Sequence, residues 1–508
     1  MARSVMSQDT FDRLCDHARE SALLQSVAEL LGWDERTKMP PAAGAYRAEQ
    51  MTYLSSLVHR RQTDPRLGEW LAELSASDLA KDPHNDAGAT IRQMRREYDK
   101  LVKLPQSLVE ELTRASVLGQ QAWVEARKND DFASFAPILA KIVSLKRQQA
   151  DAIGYADCPY DALLDDFEPG ETTKNVASVL AALRGELVPL VAAIADSARK
   201  PDLGILKRRY PIDAQEAFGK QAATAIGFDF NRGRLDVTHH PFCAGLGPDD
   251  CRMTTRYDEQ FFPSGFFSIL HEAGHGIYDQ GLRGDQFGLP PGTYVSLGIH
   301  ESQSRMWENM VGRSVPFWRH FFPRAQAAFP EALGGTALED FCFAVNDVRP
   351  SLIRVEADEA TYNLHIIIRF ELEQALINDG LAIEELPAAW NQKYRDYLGI
   401  EPPSDADGVL QDVHWSAALI GYFPTYALGN LYAAQFYAQA AKDIGPLDEQ
   451  FERGDLAPLL GWLRENIHDQ GQRYTAPELV ENVTGQPLTH DALIAYLREK
   501  YTRHYGLG

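Results

Sequence analysis

The stretch FFSILHEAGHGIYDQG, residues 266–281, places two histidines and a glutamate inside an otherwise apolar segment. Pro263 and Ser264 just before it are typical of a helix start, and Gly281 is typical of a helix stop. Apolar residues recur at three- and four-residue spacing, which is the period of one helical face. We therefore predict a buried helix that carries polar side chains for a chemical purpose.

The two histidines of this helix have the spacing of a metal site. His271 and His275 are four residues apart, so their imidazoles project from the same face, one turn apart, and can bind one zinc ion. Glu272 lies about 100° around the helix from His271. It would flank the metal, in the position of a base that takes a proton from an activated water. The pattern H-E-x-x-H is the signature of zinc metalloproteases.

A catalytic zinc site needs a third protein ligand and one open position. Glu301 supplies a candidate, because it lies on the next helix-like segment, HESQSRMWENMVG, after the Gly/Pro-rich turn GLPPGTY. Packing of that helix against the first would bring Glu301 to the metal. Glu308 lies two turns further along and is a candidate for orienting a histidine, with a solvated helix charge as the alternative.

The rest of the chain also has a mainly helical pattern. Stretches such as SALLQSVAELLGW and TKNVASVLAALRGELVPLVAAIADSARK repeat the helical period. Two short β-branched stretches, RLDVTHH and CRMTTRY, predict a small antiparallel sheet just before the histidine helix. The segment GIEPPSDADGVLQD is the longest clear loop. We expect one catalytic unit over residues 1–508, in two helical lobes that flank a substrate groove.

Composition limits the partners of the protein. The chain has 508 residues, 44% hydrophobic and 24% charged, with a net charge of −22. That charge makes nucleic acid and anionic membranes poor partners. No window approaches the ~18 uninterrupted apolar residues of a membrane span. The N-terminal stretch lacks the apolar region of a secretory signal, and the five scattered cysteines include no C-x-x-C pair. We expect a cytoplasmic protein with reduced thiols.

Several further motifs accompany HEAGH and HESQS. They are HPF at 240–242, DCRMT at 250–254, IRVEAD at 353–358 and GVLQDVHW at 408–415. The stretches LGWDERTKMP, YDALLDDFEPG and GYFPTYALGN belong to the same set. Together they cover residues from about Leu31 to Asn430, and the chain resembles the carboxypeptidase Taq family of metallocarboxypeptidases.

The resemblance implies a helical fold of the neurolysin and angiotensin-converting-enzyme type. It also implies a homodimer and one divalent metal ion per chain, Zn²⁺ or Co²⁺. The implied activity is release of single C-terminal residues from peptides with broad specificity, with C-terminal proline a poor substrate.

The chemistry of peptide hydrolysis suggests further site residues. An oxyanion needs a donor opposite the metal, and Tyr422, Tyr426 and His414 are candidates, with burial in the core as the alternative. A terminal carboxylate is best held by a planar guanidinium. Arg354 is the first candidate, although Glu356, Asp358 or Glu359 could neutralise it.

A second set of candidates surrounds the predicted strands. Arg252 is the other candidate for the carboxylate, with a salt bridge to Asp249, Asp250 or Asp258 as the alternative. His240 and Phe242 could line the substrate groove.

Two other functions fit parts of this pattern. An oligopeptidase or dipeptidyl carboxypeptidase would use the same metal centre, and only the chain-wide motif match favours single-residue release. A zinc-stabilised scaffold without catalysis would use four protein ligands, usually rich in cysteine. Glu272 and the absence of a cysteine next to the histidines in sequence argue against a scaffold.

Overall fold

A computed structural model describes residues 2–378 and 380–507. Nine α-helices precede the sheet in the described part of the chain: α1 Ala2–Thr37, α2 Gly44–Gln62, α3 Pro65–Ser75, α4 Asp86–Lys103, α5 Gln106–Asn129, α6 Phe132–Ile153, α7 Pro159–Leu164, α8 Thr173–Asp196 and α9 Ile212–Ile226. The protein is mainly helical, as its sequence predicts.

The helices continue after the sheet, and α11 runs directly into a π-helical segment, Met306–Val311. Twelve α-helices lie among the described residues of this half: α10 Phe262–Gly281, α11 Leu297–Arg305, α12 Val315–Ala328, α13 Pro330–Leu333, α14 Leu338–Val345, α15 Thr361–Ile377, α16 Leu386–Leu398, α17 Pro424–Ile444, α18 Leu447–Glu452, α19 Ala457–Asn466, α20 Ala476–Thr484 and α21 Asp491–Tyr505.

A small sheet lies just before α10, but its pairing differs from the predicted one. The strands β1 Gly233–Val237, β2 Cys243–Gly247 and β3 Asp250–Thr255 lie in the order β1-β3-β2. β1 runs parallel to β3, and only β2 pairs with β3 in antiparallel fashion. The sequence CAGLG of β2 has little β-propensity and therefore does not predict a strand. Its insertion beside β3 leaves β1 on the opposite edge.

Helix α10 forms as predicted and is anchored by aromatic side chains at its N-terminal end. Phe262 and Phe266 stack with ring centroids 5.1 Å apart, and Phe266 also packs on Phe218 and Trp318. All four rings are buried, and burial of such a side chain stabilises a fold by roughly 1.5–3 kcal/mol. The helix packs against α9, α11 and β3. The histidine pair therefore lies on a rigid element.

Buried side chains form two clusters. The larger one runs from α5 to α21 and surrounds α10, α15 and α17. The smaller one consists of Leu14, Leu67, Leu71, Leu74 and Ile91, from α1, α3 and α4. The division into two lobes stays a prediction.

One helix, α8, is long and apolar enough by composition to cross a membrane. Its residues Val176, Leu180, Leu183 and Leu187 are fully or almost fully buried in the larger cluster. They recur at three- and four-residue spacing, so this helix packs one face into the protein core. A single helix of this kind is weak evidence for a membrane span.

Candidate active site

The three predicted metal ligands lie together where α10 faces α11. Oε2 of Glu301 lies 3.4 Å from Nε2 of His275 and 3.8 Å from Nε2 of His271. One ligand atom of each residue lies within 4.8 Å of the others. Ligands about 2.1 Å from one tetrahedral metal ion are separated by roughly 3.4 Å. The donor set and its spacing therefore fit one divalent ion.

His275 is oriented by a chain of two further residues. Its Nδ1 lies 2.5 Å from Nδ1 of His300, and Nε2 of His300 lies 3.0 Å from Oδ1 of Asp279. An ionised carboxylate only accepts, so His300 donates from Nε2 and its Nδ1 accepts from Nδ1–H of His275. This assignment leaves the lone pair of His275 Nε2 free for a metal. Histidines that bind zinc usually donate their other ring N–H to a partner that fixes the ring, and here His300, backed by Asp279, is that partner.

His271 is oriented in the same manner by Glu308. Its Nδ1 lies 3.0 Å from Oε2 of Glu308, on the π-helical segment after α11. Such segments are frequent at functional sites. This half-buried glutamate also accepts from Nη1 of Arg305 at 3.4 Å and from Nη2 of Arg313 at 3.3 Å. Burial opposes ionisation of Glu308, but His271 and Arg305 lower its pKa to about 2. Glu308 is therefore an ionised partner of His271 and not a solvated helix charge.

The third candidate ligand, Glu301, is kept ionised by its own helix. Nε of Arg305, one turn further on, lies 2.7 Å from Oε1 of Glu301. Burial raises the pKa of Glu301, but the charges of Arg305 and His271 lower it by more than burial raises it. The pKa of Glu301 therefore lies below the usual range for a glutamate. Oε2, the oxygen nearer both histidines, also accepts a hydrogen bond from Ser304 at 3.2 Å.

Glu272 lies beside this cluster and is 6% exposed. Burial raises its pKa to about 7, and the charge of Glu301 contributes to the increase. A buried carboxyl group with a pKa near neutrality is suited to accept and return a proton. The position and environment are those expected of a general base.

The close approach of α10 and α11 depends on the glycine of HEAGH. A Cβ atom built on Gly274 would lie 2.6 Å from Cα of Ser304, a distance that real Cβ atoms essentially never show. A larger residue would push α11 away and separate Glu301 from the histidines. The local sequence therefore fixes the spacing of the ligands as well as their identity.

The predicted oxyanion donors form one aromatic group. Nε2 of His414 lies 3.2 Å from the hydroxyl group of Tyr426, and the rings of Tyr422 and Tyr426 are 5.4 Å apart. Burial raises the pKa of Tyr422, and the charge of Glu301 raises it further, so both tyrosines keep their protons at neutral pH. Burial lowers the pKa of His414 to about 4. These side chains are neutral, and the two tyrosine hydroxyls can donate hydrogen bonds.

Arg354 is buried in a charged cluster, with its guanidinium 5.1 Å from the ring centroid of Tyr426. Its Nε and Nη2 donate to Oδ1 of Asp412 at 2.9 and 2.7 Å, and Arg369 donates to Oδ2 at 2.6 Å. The alternative considered for Arg354 was internal pairing with Glu356, Asp358 or Glu359; the structure does pair Arg354 internally, but with Asp412. Two guanidinium groups around one carboxylate leave an uncompensated positive charge.

Tyr362 links this cluster to the metal ligands. Its hydroxyl accepts from Nη1 of Arg354 at 2.9 Å, and the guanidinium of Arg305 lies over its ring at 4.4 Å. Arg305 in turn holds Glu301. The arginine proposed for substrate binding and the metal site are therefore joined by one side chain.

Arg252 is paired within its own strand. Its Nε and Nη2 donate to the two carboxylate oxygens of Asp250 at 2.8 and 2.9 Å, and its guanidinium lies over the ring of Trp33. This is the salt bridge considered as the alternative to substrate binding. His240 is exposed in the loop between β1 and β2, and Phe242 packs beneath Arg36.

Sequence reasoning missed the residues that support the ligands. His300 directly precedes Glu301, and Asp279 follows His275 by four residues, so both could have been noticed as polar neighbours in mainly buried helices. Arg305 follows Glu301 by four residues, a standard spacing for a helical ion pair. Asp412 gave no signal that would pair it with Arg354, which lies 58 residues earlier in the chain.

A half-buried histidine pair on one helix, a buried carboxylate from the next helix and a flanking glutamate define a metallopeptidase site of the H-E-x-x-H class. Comparisons with known proteins agree. Residues 13–501 match the family model described as "Carboxypeptidase Taq (M32) metallopeptidase".

Relatives match over nearly the whole chain. The chain is 47% identical to thermostable carboxypeptidase 1 of Thermus thermophilus, over 98% of this chain and 99% of the relative. It is 39% identical to carboxypeptidase 1 of Bacillus subtilis, over 96% and 97%. A crystal structure of the M32 carboxypeptidase from Deinococcus radiodurans R1 superposes with a TM-score of 0.95 at 42% identity, covering 98% of this chain and 100% of that one. This chain belongs to the carboxypeptidase Taq (M32) family and is a metallocarboxypeptidase.

Proposed function

We propose that this enzyme is a cytoplasmic homodimer that removes single C-terminal residues from peptides with broad specificity and acts poorly on C-terminal proline. His271, His275 and Glu301 hold one ion of Zn²⁺ or Co²⁺. The observation that carries the proposal is the ligand cluster with Glu272 beside it, linked through Arg305 and Tyr362 to a buried, positively charged arginine. That arrangement offers hydrolysis and carboxylate recognition in one site.

The residues divide the reaction between them. The residues that would hold a divalent ion are His271, His275 and Glu301, and the ion would supply a lowered pKa of water and polarisation of the scissile carbonyl group. Glu272, buried beside the ligands, accepts a proton from the attacking water and delivers it to the leaving amine. Glu308 and the His300–Asp279 pair keep both histidine rings in the ligating orientation.

Tyr422 and Tyr426 supply donors for the negative charge that develops on the carbonyl oxygen. Their raised pKa values keep the hydroxyl groups protonated, and a neutral donor gains strength in a site with little water. His414 positions Tyr426 by donating from Nε2–H to its hydroxyl oxygen, which leaves the hydroxyl proton of Tyr426 for the substrate.

Arg354 receives the C-terminal carboxylate of the substrate. A guanidinium has five N–H donors. Three of them bond to Asp412 and Tyr362, which leaves two without a partner among the described residues. The uncompensated charge shared with Arg369 favours an additional anion at this point. An oligopeptidase or dipeptidyl carboxypeptidase would use the same groups with the anchor further from the metal.

Product masses test the proposal directly. A peptide with a free C-terminus, its N-terminally blocked form and its C-terminal amide should be incubated with the protein, with and without 1,10-phenanthroline. We expect a ladder that loses one residue per step from both free-acid peptides, little cleavage of the amide, and recovery by added Zn²⁺ or Co²⁺ after chelation. Losses of two residues, or internal fragments, would establish the alternative functions instead. Sedimentation of the same sample tests the dimer.

A further inference from the structure

Two cysteines that are separated in sequence meet on the sheet next to α10. Cys243 lies on β2 and Cys251 on β3, and Cys251 is directly opposite Gly245 in the antiparallel register. The two thiols are therefore diagonal neighbours on one face, and their Sγ atoms lie 3.5 Å apart. Cys251 is buried and Cys243 is half-buried. This pair takes no part in the reaction proposed above.

A carboxylate completes the group. Asp279, near the C-terminal end of α10, has a ligand atom within 4.8 Å of both sulfur atoms. Its Oδ2 would lie only 2.6 Å from a Cβ atom built on Gly245, so the absence of a side chain at that position makes room for the carboxylate against the sheet. Oδ1 of Asp279 accepts from His300, so the two oxygens face different neighbours.

The spacing and chemistry of these groups fit a metal ion. Two thiolates about 2.3 Å from one tetrahedral Zn²⁺ are separated by roughly 3.8 Å, close to the observed separation of the sulfur atoms. We propose that Cys243, Cys251 and Asp279 form a second metal site, selective for thiophilic divalent ions such as Zn²⁺, Co²⁺ or Cd²⁺. Binding releases the two thiol protons to solvent, and water completes the coordination.

The electrostatic surroundings favour a cation over a reactive thiol pair. The Cys243–Cys251 hydrogen bond and burial raise the pKa of Cys243, and the charges of Asp279 and Glu272 add to the increase. Negative neighbours suppress thiolate formation and so slow thiol oxidation. The same negative charges attract a divalent cation, which replaces the two protons.

Cobalt absorption gives a test that does not depend on catalysis. The full-length protein, reduced and with all five thiols titrated, is loaded anaerobically with Co²⁺. A thiolate ligand produces a sulfur-to-cobalt charge-transfer band in the near ultraviolet, which the histidines and glutamate of the catalytic site cannot produce. Cys243→Ser is the test variant, and Cys158→Ser is the matched control because Cys158 is also half-buried but belongs to no ligand group among the described residues.

We expect the charge-transfer band in the wild-type protein and in Cys158→Ser. Cys243→Ser should lose the band, and it should bind one Co²⁺ ion per chain fewer than the wild-type protein. Absence of the band in the wild-type protein, or its persistence in Cys243→Ser, overturns the proposal. If Cys243→Ser fails to fold, alkylation of the wild-type protein with and without Cd²⁺ tests whether Cys243 binds the metal. Cd²⁺ should protect the peptide containing Cys243 from iodoacetamide but leave that containing Cys158 unprotected, and equal labelling of Cys243 with and without Cd²⁺ refutes the site.

Discussion

Removal of the Arg354 guanidinium should weaken the enzyme selectively toward substrates with a free carboxylate. The two N–H groups that remain after its bonds to Asp412 and Tyr362 can make charged hydrogen bonds to the substrate. Such a contact contributes about 1.5–3 kcal/mol. Since ~1.4 kcal/mol corresponds to a factor of ten, Arg354→Ala should reduce kcat/KM for a free-acid peptide by about 10- to 100-fold.

The fold must be controlled in this experiment, because Arg354 is 5% exposed and paired with Asp412. Breaking a buried pair by removing one partner costs about 3–5 kcal/mol of stability. Arg354→Lys keeps the charge and should retain more stability, but it cannot form the planar double contact. Rates are therefore measured well below the unfolding temperature of each variant.

The comparison uses a free-acid peptide and its C-terminal amide in four proteins: wild type, Arg354→Ala, Arg354→Lys and Arg252→Ala. The amide carries no negative charge, so the Arg354 variants should lose much less on it than on the acid. Arg252→Ala removes a guanidinium that already has Asp250 as a double partner, and it should not discriminate between the two substrates. Equal proportional losses of kcat/KM on acid and amide in Arg354→Ala would refute Arg354 as the residue that binds the carboxylate. A larger loss on the acid than on the amide in Arg252→Ala would assign that role to Arg252.

Four further predictions concern the metal site and the stability of the fold. His275→Ala should bind one ion fewer per chain than the wild-type protein, measured by elemental analysis after gel filtration, and unchanged stoichiometry would reject this ligand. Glu272→Gln should keep the metal but lose at least ~10²–10⁴-fold in kcat, because an amide cannot accept the proton; near-normal turnover would place the base elsewhere. Glu308→Ala should weaken metal affinity by about 10- to 100-fold in chelator competition. Glu359→Ala, which removes a buried partner of Lys500, should not weaken it. Burial raises the pKa of Glu168 from 4.5 to about 8, so the folded state holds a proton that the unfolded state loses, and stability should fall as the pH rises from about 4.5 to 8. Glu168→Gln should flatten that fall in urea unfolding, and an unchanged slope would contradict the assignment.

The cluster of candidate metal ligands could be predicted from the sequence because each residue depends on local spacing. The four-residue separation of His271 and His275 fixes one helical face, and the turn before α11 leaves Glu301 on the next packed helix. The bounds of helix α10 could be predicted closely for the same reason. Spacing alone only suggests the role of Glu308, since the π-helical segment that directs it toward His271 has no clear signature in the sequence.

Pairing between distant segments could not be predicted. The position of β2 depends on β3 and on the space that Gly245 leaves for Asp279, neither of which is visible in the stretch CAGLG. The two cysteines of this sheet appear scattered in the sequence for the same reason. They lie eight positions apart along the chain, and only the register of the hairpin brings their sulfur atoms together.

The irregular segment between α16 and α17 shows how a site can be rigid without regular secondary structure. Residues 399–423 contain no helix or strand, yet they carry His414 and Tyr422. Gln411 fixes the segment from within: its Oε1 accepts from the backbone N–H of Arg354 and from Nη2 of Arg369, and its Nε2 donates to the carbonyl of Leu352. The next residue, Asp412, binds both arginines. The arginines that offer positive charge to a substrate therefore also hold the loop that carries His414 and Tyr422. Buried polar contacts of this kind rigidify a segment when every group is satisfied. A substitution in this cluster should therefore alter carboxylate recognition and the position of His414 together, which is why the acid-to-amide ratio, and not the overall rate, isolates the role of Arg354.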